Sequence, residues 1–131
     1  MKLFNDTEIH GRICKIIPQI GFDHCDPSRI FCVRSFGAKT RAIARIWSLP
    51  LIWRQCLGLQ VYYIIEVVAE KFGALSNEDK DKVLIHELLH IPAKFSGGLV
   101  PHQCFGKRID KRRVDDLYNM LLSKYKQQQC K

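Results

Sequence analysis

The run "VLIHELLHIPAKFSGGLVPHQ", residues 83–103, decides how the chain is read. It sets His86 and His90 four apart, puts Glu87 beside the first, and follows them with Gly97, Gly98 and His102. On a helix, residues four apart leave the same face, so both imidazoles can converge on one cation. Glu87 stands about 100° further round the helix. That places it next to the cation rather than on it, where it can hold and deprotonate a metal-bound water. The pattern H-E-x-x-H is the one that carries this chemistry. Leu84, Ile85, Leu88, Leu89 and Ile91 make the same helix apolar on most sides. Ionisable groups in such a helix are costly unless something satisfies them, and a bound cation does so.

A catalytic zinc keeps three protein ligands and one open position. No glutamate follows Glu87, so a downstream Glu ligand is excluded. Ala93 and Ser96 stand where the H-E-x-x-H-x-x-G-x-x-H arrangement needs its Gly and third His. His102 is the favoured third ligand, with Cys104 and Asp110 as alternatives. Gly97 and Gly98 supply the reversal that brings the chain back to the helix it has just left. The plain alternative is a buried helix whose histidines bond to backbone, with His102 on a surface loop. Elsewhere, His10 is expected on the solvated face of a helix. His24 with Cys25 in a turn is a weak pointer to a second metal site, and Cys32 is expected to pack in a strand.

The chain has 131 residues, enough for one domain with a core of its own. With 47% hydrophobic and 26% charged residues it has the composition of a globular protein. No apolar run is long enough to cross a membrane, and charges interrupt the first ten residues, so neither an anchor nor a secretory leader is expected. The six cysteines form no C-x-x-C pair, so free thiols and a cytoplasmic location are expected. The formal charge of +8 is concentrated toward the C-terminal end, as in "GKRIDKRRVDDLYNMLLSKYK". That charge permits contact with nucleic acid without requiring it.

Along the chain, Asn5 with Glu8 three residues on has capping-box spacing. Ile9, Ile13, Ile16, Ile17 and Ile20 recur at helical spacing, and Pro18 is expected to end the helix with Ile20 packing just beyond it. "IFCVRSF" and "TRAIARIWS" read as two strands, and the "GAKT" between them suggests a hairpin. "LPLIWRQCLG" reads as a short helix begun at Pro50 and stopped at Gly58. "QVYYIIEVVAEKF" fits a strand with Val61, Tyr63, Ile65 and Val67 on one face. Ser76 caps the helix that carries the histidines, and acidic residues fill its first turn. The last segment is amphipathic along Val114, Leu117, Tyr118, Leu121, Leu122 and Tyr125, and residues 126–131 are expected to fray.

"KVLIHELLHIP" followed by "FSGGLVPH" and an amphipathic helix resembles the putative metallopeptidases of archaea and phages, minimal zincins related to the SprT-like group. "RAIARIWSLP" and "YYIIEVVAEKFGALSNEDK" resemble that family's upstream segments, so the likeness spans residues 30–122. It implies a single α+β domain over residues 1–131, a small, mostly antiparallel sheet packed on helices with the H-E-x-x-H helix central. It also implies Zn2+ on His86, His90 and His102, Glu87 as general base, and an extended peptide or protein substrate paired along an edge strand. "QVYYIIEVV" is the candidate for that edge. Tyr118, Arg108 and Arg112 are candidate oxyanion donors, and nothing in the spacing selects one. The function expected is zinc-dependent peptide hydrolysis. The competing readings are a nucleic-acid-associated protein with structural zinc, contacting phosphates through Lys111, Arg112 and Arg113, and an inactive zincin module.

Overall fold

The computed structural model describes residues 1–104 and 107–129, with side chains described over 1–102 and 109–127. The side chains of Cys104 and Arg108, and all of Cys130, lie outside the described residues. In chain order the elements are β1 (Lys2–Asn5), α1 (Thr7–Gln19), β2 (Ile30–Phe36), β3 (Ala44–Ser48), α2 (Leu51–Leu57), β4 (Tyr63–Val68), α3 (Ala69–Phe72) and α4 (Asn77–Leu89). Two-residue strands β5 (Gln103–Cys104) and β6 (Lys107–Arg108) then precede α5 (Lys111–Gln129). The fold is α+β: a small mixed sheet in the order β1-β2-β4-β3 with helices against it.

Two pairings in that sheet are antiparallel, β1 with β2 and β3 with β4, and β2 runs parallel to β4. This corrects two expectations. The "IFCVRSF" and "TRAIARIWS" strands do not form a hairpin, because β4 inserts between them. For the same reason "QVYYIIEVV" is not an edge: β4 is central, and the edges are β1 and β3. The physical reason lies in burial. Tyr63, Ile65, Val67 and Val68 of β4 are all essentially inaccessible, so this strand belongs in the middle of the sheet. β3 also starts later than its sequence pattern suggests, at Ala44 rather than Thr40.

One face of the sheet, including Ile30, Cys32, Ala44, Tyr63, Ile65 and Val67, joins the helices in a single core. α1 delivers all five of its expected isoleucines to that core: Ile9, Ile13, Ile16 and Ile17, with Ile20 just beyond. Its cap is Asp6 rather than Asn5. Asp6 accepts a hydrogen bond from the Ile9 amide at 3.0 Å and is paired with Arg34. α5 packs through Val114, Tyr118 and Leu121, with Leu117, Leu122 and Tyr125 half-buried, so the expected stripe faces the core. α4 is buried at Leu84, Ile85, Leu88 and Leu89. Two polar ties fix its pose. Arg12 on α1 meets Asp81 at 3.0 Å and Asn77 at 2.7 Å, and Lys82 meets Asp115 on α5 at 3.1 Å.

Candidate metal centre

α4 starts at Ser76, whose hydroxyl accepts a hydrogen bond from the Asp79 amide at 3.2 Å. Glu78 and Asp79 occupy the first turn, where the helix dipole favours negative charge. The helix ends at His90, whose carbonyl has no partner further along a helix. The Val100 amide returns to it and donates at 2.7 Å. The loop between is irregular, as expected, and it turns through Phe95 at φ 49 and Gly97 at φ 93. Gly97 supplies the left-handed turn, whereas Gly98 needs no such backbone.

That loop carries His102 onto the face of α4 that presents His86 and His90. One nitrogen from each imidazole lies within 4.8 Å of the other two. Among the described residues this is the sole group of three or more His, Cys, Asp or Glu so arranged. His86 Nε2 and His102 Nε2 are 3.2 Å apart. A tetrahedral zinc with Zn–N near 2.0–2.1 Å separates its nitrogens by about 3.3 Å, so this pair already has the span such an ion needs. His90 Nδ1 lies within hydrogen-bonding distance of the Val100 carbonyl. A carbonyl can only accept, so the ring donates there and its Nε2 lone pair is left for a cation.

The electrostatics agree with the geometry. Burial first, then the neighbouring His90 and His102, push His86 down to about 4. Burial likewise lowers His90, partly offset by the Val100 carbonyl. Both rings are therefore neutral near pH 7, the state in which imidazole ligates a metal. Glu87, 7% exposed, lines the same cleft, and burial pushes its carboxyl up to about 7. A carboxyl in that range can both accept and release a proton near neutrality.

These groups line a cleft of about 990 Å³. Its floor is α4, from Asp79 and Val83 to His86, Glu87 and His90. One wall is β3 and the segment leading into it, Arg41 to Ile46; the other is the start of α5, with Lys111, Val114 and Asp115. Leu75 and Leu99 also line it.

The other expected site residues go elsewhere. Asp110 is exposed and accepts a hydrogen bond from the Arg113 amide, so it caps α5. Tyr118 is buried in the α4–α5 contact under the Lys82 ammonium, outside the cleft lining, and Arg112 is exposed and also outside it. His10 is not simply solvated: its Nε2 lies 2.9 Å from the Pro27 carbonyl and its Nδ1 lies 3.7 Å from Cys14 Sγ. Cys25 and Cys32 are buried free thiols, and Cys14 and Cys56 are exposed free thiols. His24 stacks near Phe22 rather than in a metal-binding group. Two contributors were missed in the sequence: Val100, which orients His90, and Tyr63, whose hydroxyl reaches the glycine loop. Neither carries a signal in the sequence, since one acts through its backbone and the other reads as an ordinary strand residue.

Comparison with protein-family models matches residues 1–125 to a family described as putative phage metallopeptidase. No curated protein and no solved structure matches the chain.

Proposed function

The chain belongs to the putative phage metallopeptidase family, and from that premise we propose that it is a zinc-dependent peptidase. His86, His90 and His102 would hold the ion, and Glu87 would carry the proton. The observation that supports this most is the placement of three convergent imidazoles, with His86 and His90 kept neutral by burial, and a buried carboxyl in one cleft of about 990 Å³. An all-nitrogen donor set of this size suits zinc, which supplies Lewis acidity to water and to a scissile carbonyl.

The chain's own groups do the rest. A Glu87 carboxylate oxygen takes the proton from water and later returns it to the leaving amine. A purely structural zinc site has no use for such a carboxyl. β3 is the edge strand beside the site, so it replaces "QVYYIIEVV" as the strand that would pair with an extended peptide. The Ile43 carbonyl faces β4, where it accepts from the Val68 amide. By the alternation of an antiparallel ladder, the backbone groups of Ala44 and Ile46 face away from β4 and are free for a peptide. Ile43, Val83, Leu75 and Val114 give the cleft apolar walls, which favours an aliphatic or aromatic side chain near the scissile bond. The free thiols favour a reducing, cytoplasmic setting.

The exposed Lys111, Arg112 and Arg113 at the start of α5 favour a second reading, contact with nucleic acid. It predicts a salt-dependent mobility shift on DNA that vanishes when all three are neutralised.

The deciding experiment measures metal content by mass spectrometry, and cleavage of an unfolded protein, for wild type, Glu87→Gln and His102→Ala. The expected result is one zinc in wild type and in Glu87→Gln, less in His102→Ala, and cleavage by wild type alone. Zinc in both of the first two with cleavage by neither defeats the peptidase reading. A wild type that takes up no metal defeats the site itself.

A further inference from the structure

Tyr63 opens the central strand and is completely buried. A buried phenol hydroxyl is unfavourable unless it is hydrogen-bonded. This one is bonded twice, and both partners lie in the loop that carries His102. Its oxygen accepts from the Gly97 amide at 2.9 Å, and its O–H donates to the Gly98 carbonyl at 2.8 Å. The ring also packs edge-on against Phe95, 5.0 Å between centroids. Phe95 and Gly97 are the loop's two residues with positive φ, so Tyr63 supports the loop where its backbone is least ordinary. Tyr63 is itself well anchored, because it pairs with Ile30 on one side and Ser48 on the other.

The loop's remaining ties are few. Val100 bonds His90 through both its amide and its carbonyl, and the Arg54 guanidinium reaches the Ser96 carbonyl at a long 3.4 Å. His102 is exposed; the Tyr63 bonds hold its segment on the N-terminal side, and the Ile109 amide donates to its carbonyl at 2.8 Å on the other. A ligand delivered by a loose loop binds weakly, because ordering the loop costs entropy each time the ion binds.

We propose that Tyr63 is a positioning residue for the metal centre: its hydroxyl holds the Gly97–Gly98 turn in the register that brings His102 onto His86 and His90. This rests on the reading of His102 as a metal ligand. Tyr63→Phe keeps the ring, the strand and the Phe95 contact, and removes only the hydroxyl.

The test is a double-mutant cycle on zinc affinity, measured by competition with a chromophoric chelator for wild type, Tyr63→Phe, His102→Ala and the double variant. Tyr63→Phe is expected to weaken zinc binding by about 10–100-fold, the usual effect of losing an outer-shell partner. In the His102→Ala background the same change should have almost no effect, because there is no third ligand left to position. An equal loss in both backgrounds, or a lower melting temperature with unchanged affinity, overturns the proposal. If His102→Ala itself leaves affinity unchanged, the ligand assignment falls and takes this inference with it. If His102→Ala weakens binding and Tyr63→Phe does not, only this inference falls. Should Tyr63→Phe fail to fold, amide exchange in metal-free wild type decides. The Gly97 amide should be strongly protected, and exchange at the rate of an open chain overturns the proposal.

Discussion

Glu87 sets a conflict between function and stability that can be measured directly. Its carboxyl is raised from the ordinary 4.5 to about 7 by burial, so the folded chain holds this proton more tightly than the unfolded chain does. Below pH 4.5 both states are protonated and the group is neutral in its effect. Between 4.5 and 7 the unfolded state ionises first, and folding loses stability as the pH rises; above 7 the loss is complete. A shift of this size corresponds to roughly 3 kcal/mol. Metal-free Glu87→Gln should therefore match or trail wild type at pH 4.5 and exceed it at pH 8 by up to that amount, as read by urea unfolding in chelator. The lowered His86 acts in the opposite sense, gaining stability as pH rises from about 4 to 6.5, but it is common to both proteins and cancels in the difference. A gap that stays constant with pH would mean Glu87 is not buried as described. Gly97 gives a second test. At φ 93 a side chain is strained, while the added Cβ would meet only the flexible end of Arg54, so the cost comes from the backbone. Gly97→Ala should destabilise by about 1–2 kcal/mol, and Gly98→Ala, with no left-handed backbone and nothing nearer than Ser96 Oγ at 3.8 Å, should be close to neutral. At this scale the sequence was informative. Spacing alone placed His86, Glu87 and His90 on one helical turn, and ligand chemistry favoured His102 over Cys104 and Asp110. The partner that orients His90 was invisible because a backbone carbonyl has no sequence identity.

Elements were legible where a local period defined them and illegible where their partners were distant. The isoleucines of α1, the cap and acidic first turn of α4, the Pro50 and Gly58 bounds of α2 and the stripe of α5 all follow from spacing within the element. The sheet order does not. β2 and β3 are close in sequence and look like a hairpin, yet the more apolar β4 enters between them and takes β2 as a parallel neighbour. Alternation says which residues of a strand face the core, and nothing about which strand lies alongside. β1 was missed altogether, because four exposed residues offer no buried face to recognise. α2 was found correctly but does something its sequence does not suggest: Leu51, Ile52, Trp53 and Leu57 are all more than half exposed, and the helix buries no residue. Substitutions there remove nothing from the core. Ile52→Lys and Leu57→Lys should each change stability by less than about 0.5 kcal/mol, while raising the concentration at which the protein begins to aggregate. Thermal unfolding and light scattering check the two halves of that expectation. A loss of several degrees in melting temperature would mean α2 is seated in the core after all.

For the molecule as a whole, metal binding and folding must be linked, because the three imidazoles come together only in the native chain. α4 brings His86 and His90 together, but the loop orients His90 through Val100 and carries His102 to them, closing on the helix end and on the central strand. Unfolding separates them, so an ion that binds this site binds the folded state far better than the unfolded one. At a free zinc concentration about 100 times its dissociation constant, such binding adds roughly 2.7 kcal/mol to stability. For a chain of this size that corresponds to a rise of roughly 10 °C in melting temperature. Excess chelator should remove the rise reversibly, which separates linkage from aggregation or chemical damage. His102→Ala should show a much smaller rise, since two imidazoles on one helical turn survive partial unfolding and discriminate less between the states. Glu87→Gln should keep the full rise, because its carboxyl is placed beside the ion rather than among its ligands. A rise that Glu87→Gln abolishes would make Glu87 a ligand and remove it from proton transfer. A rise that His102→Ala leaves intact would remove the loop, and Tyr63 with it, from the metal centre.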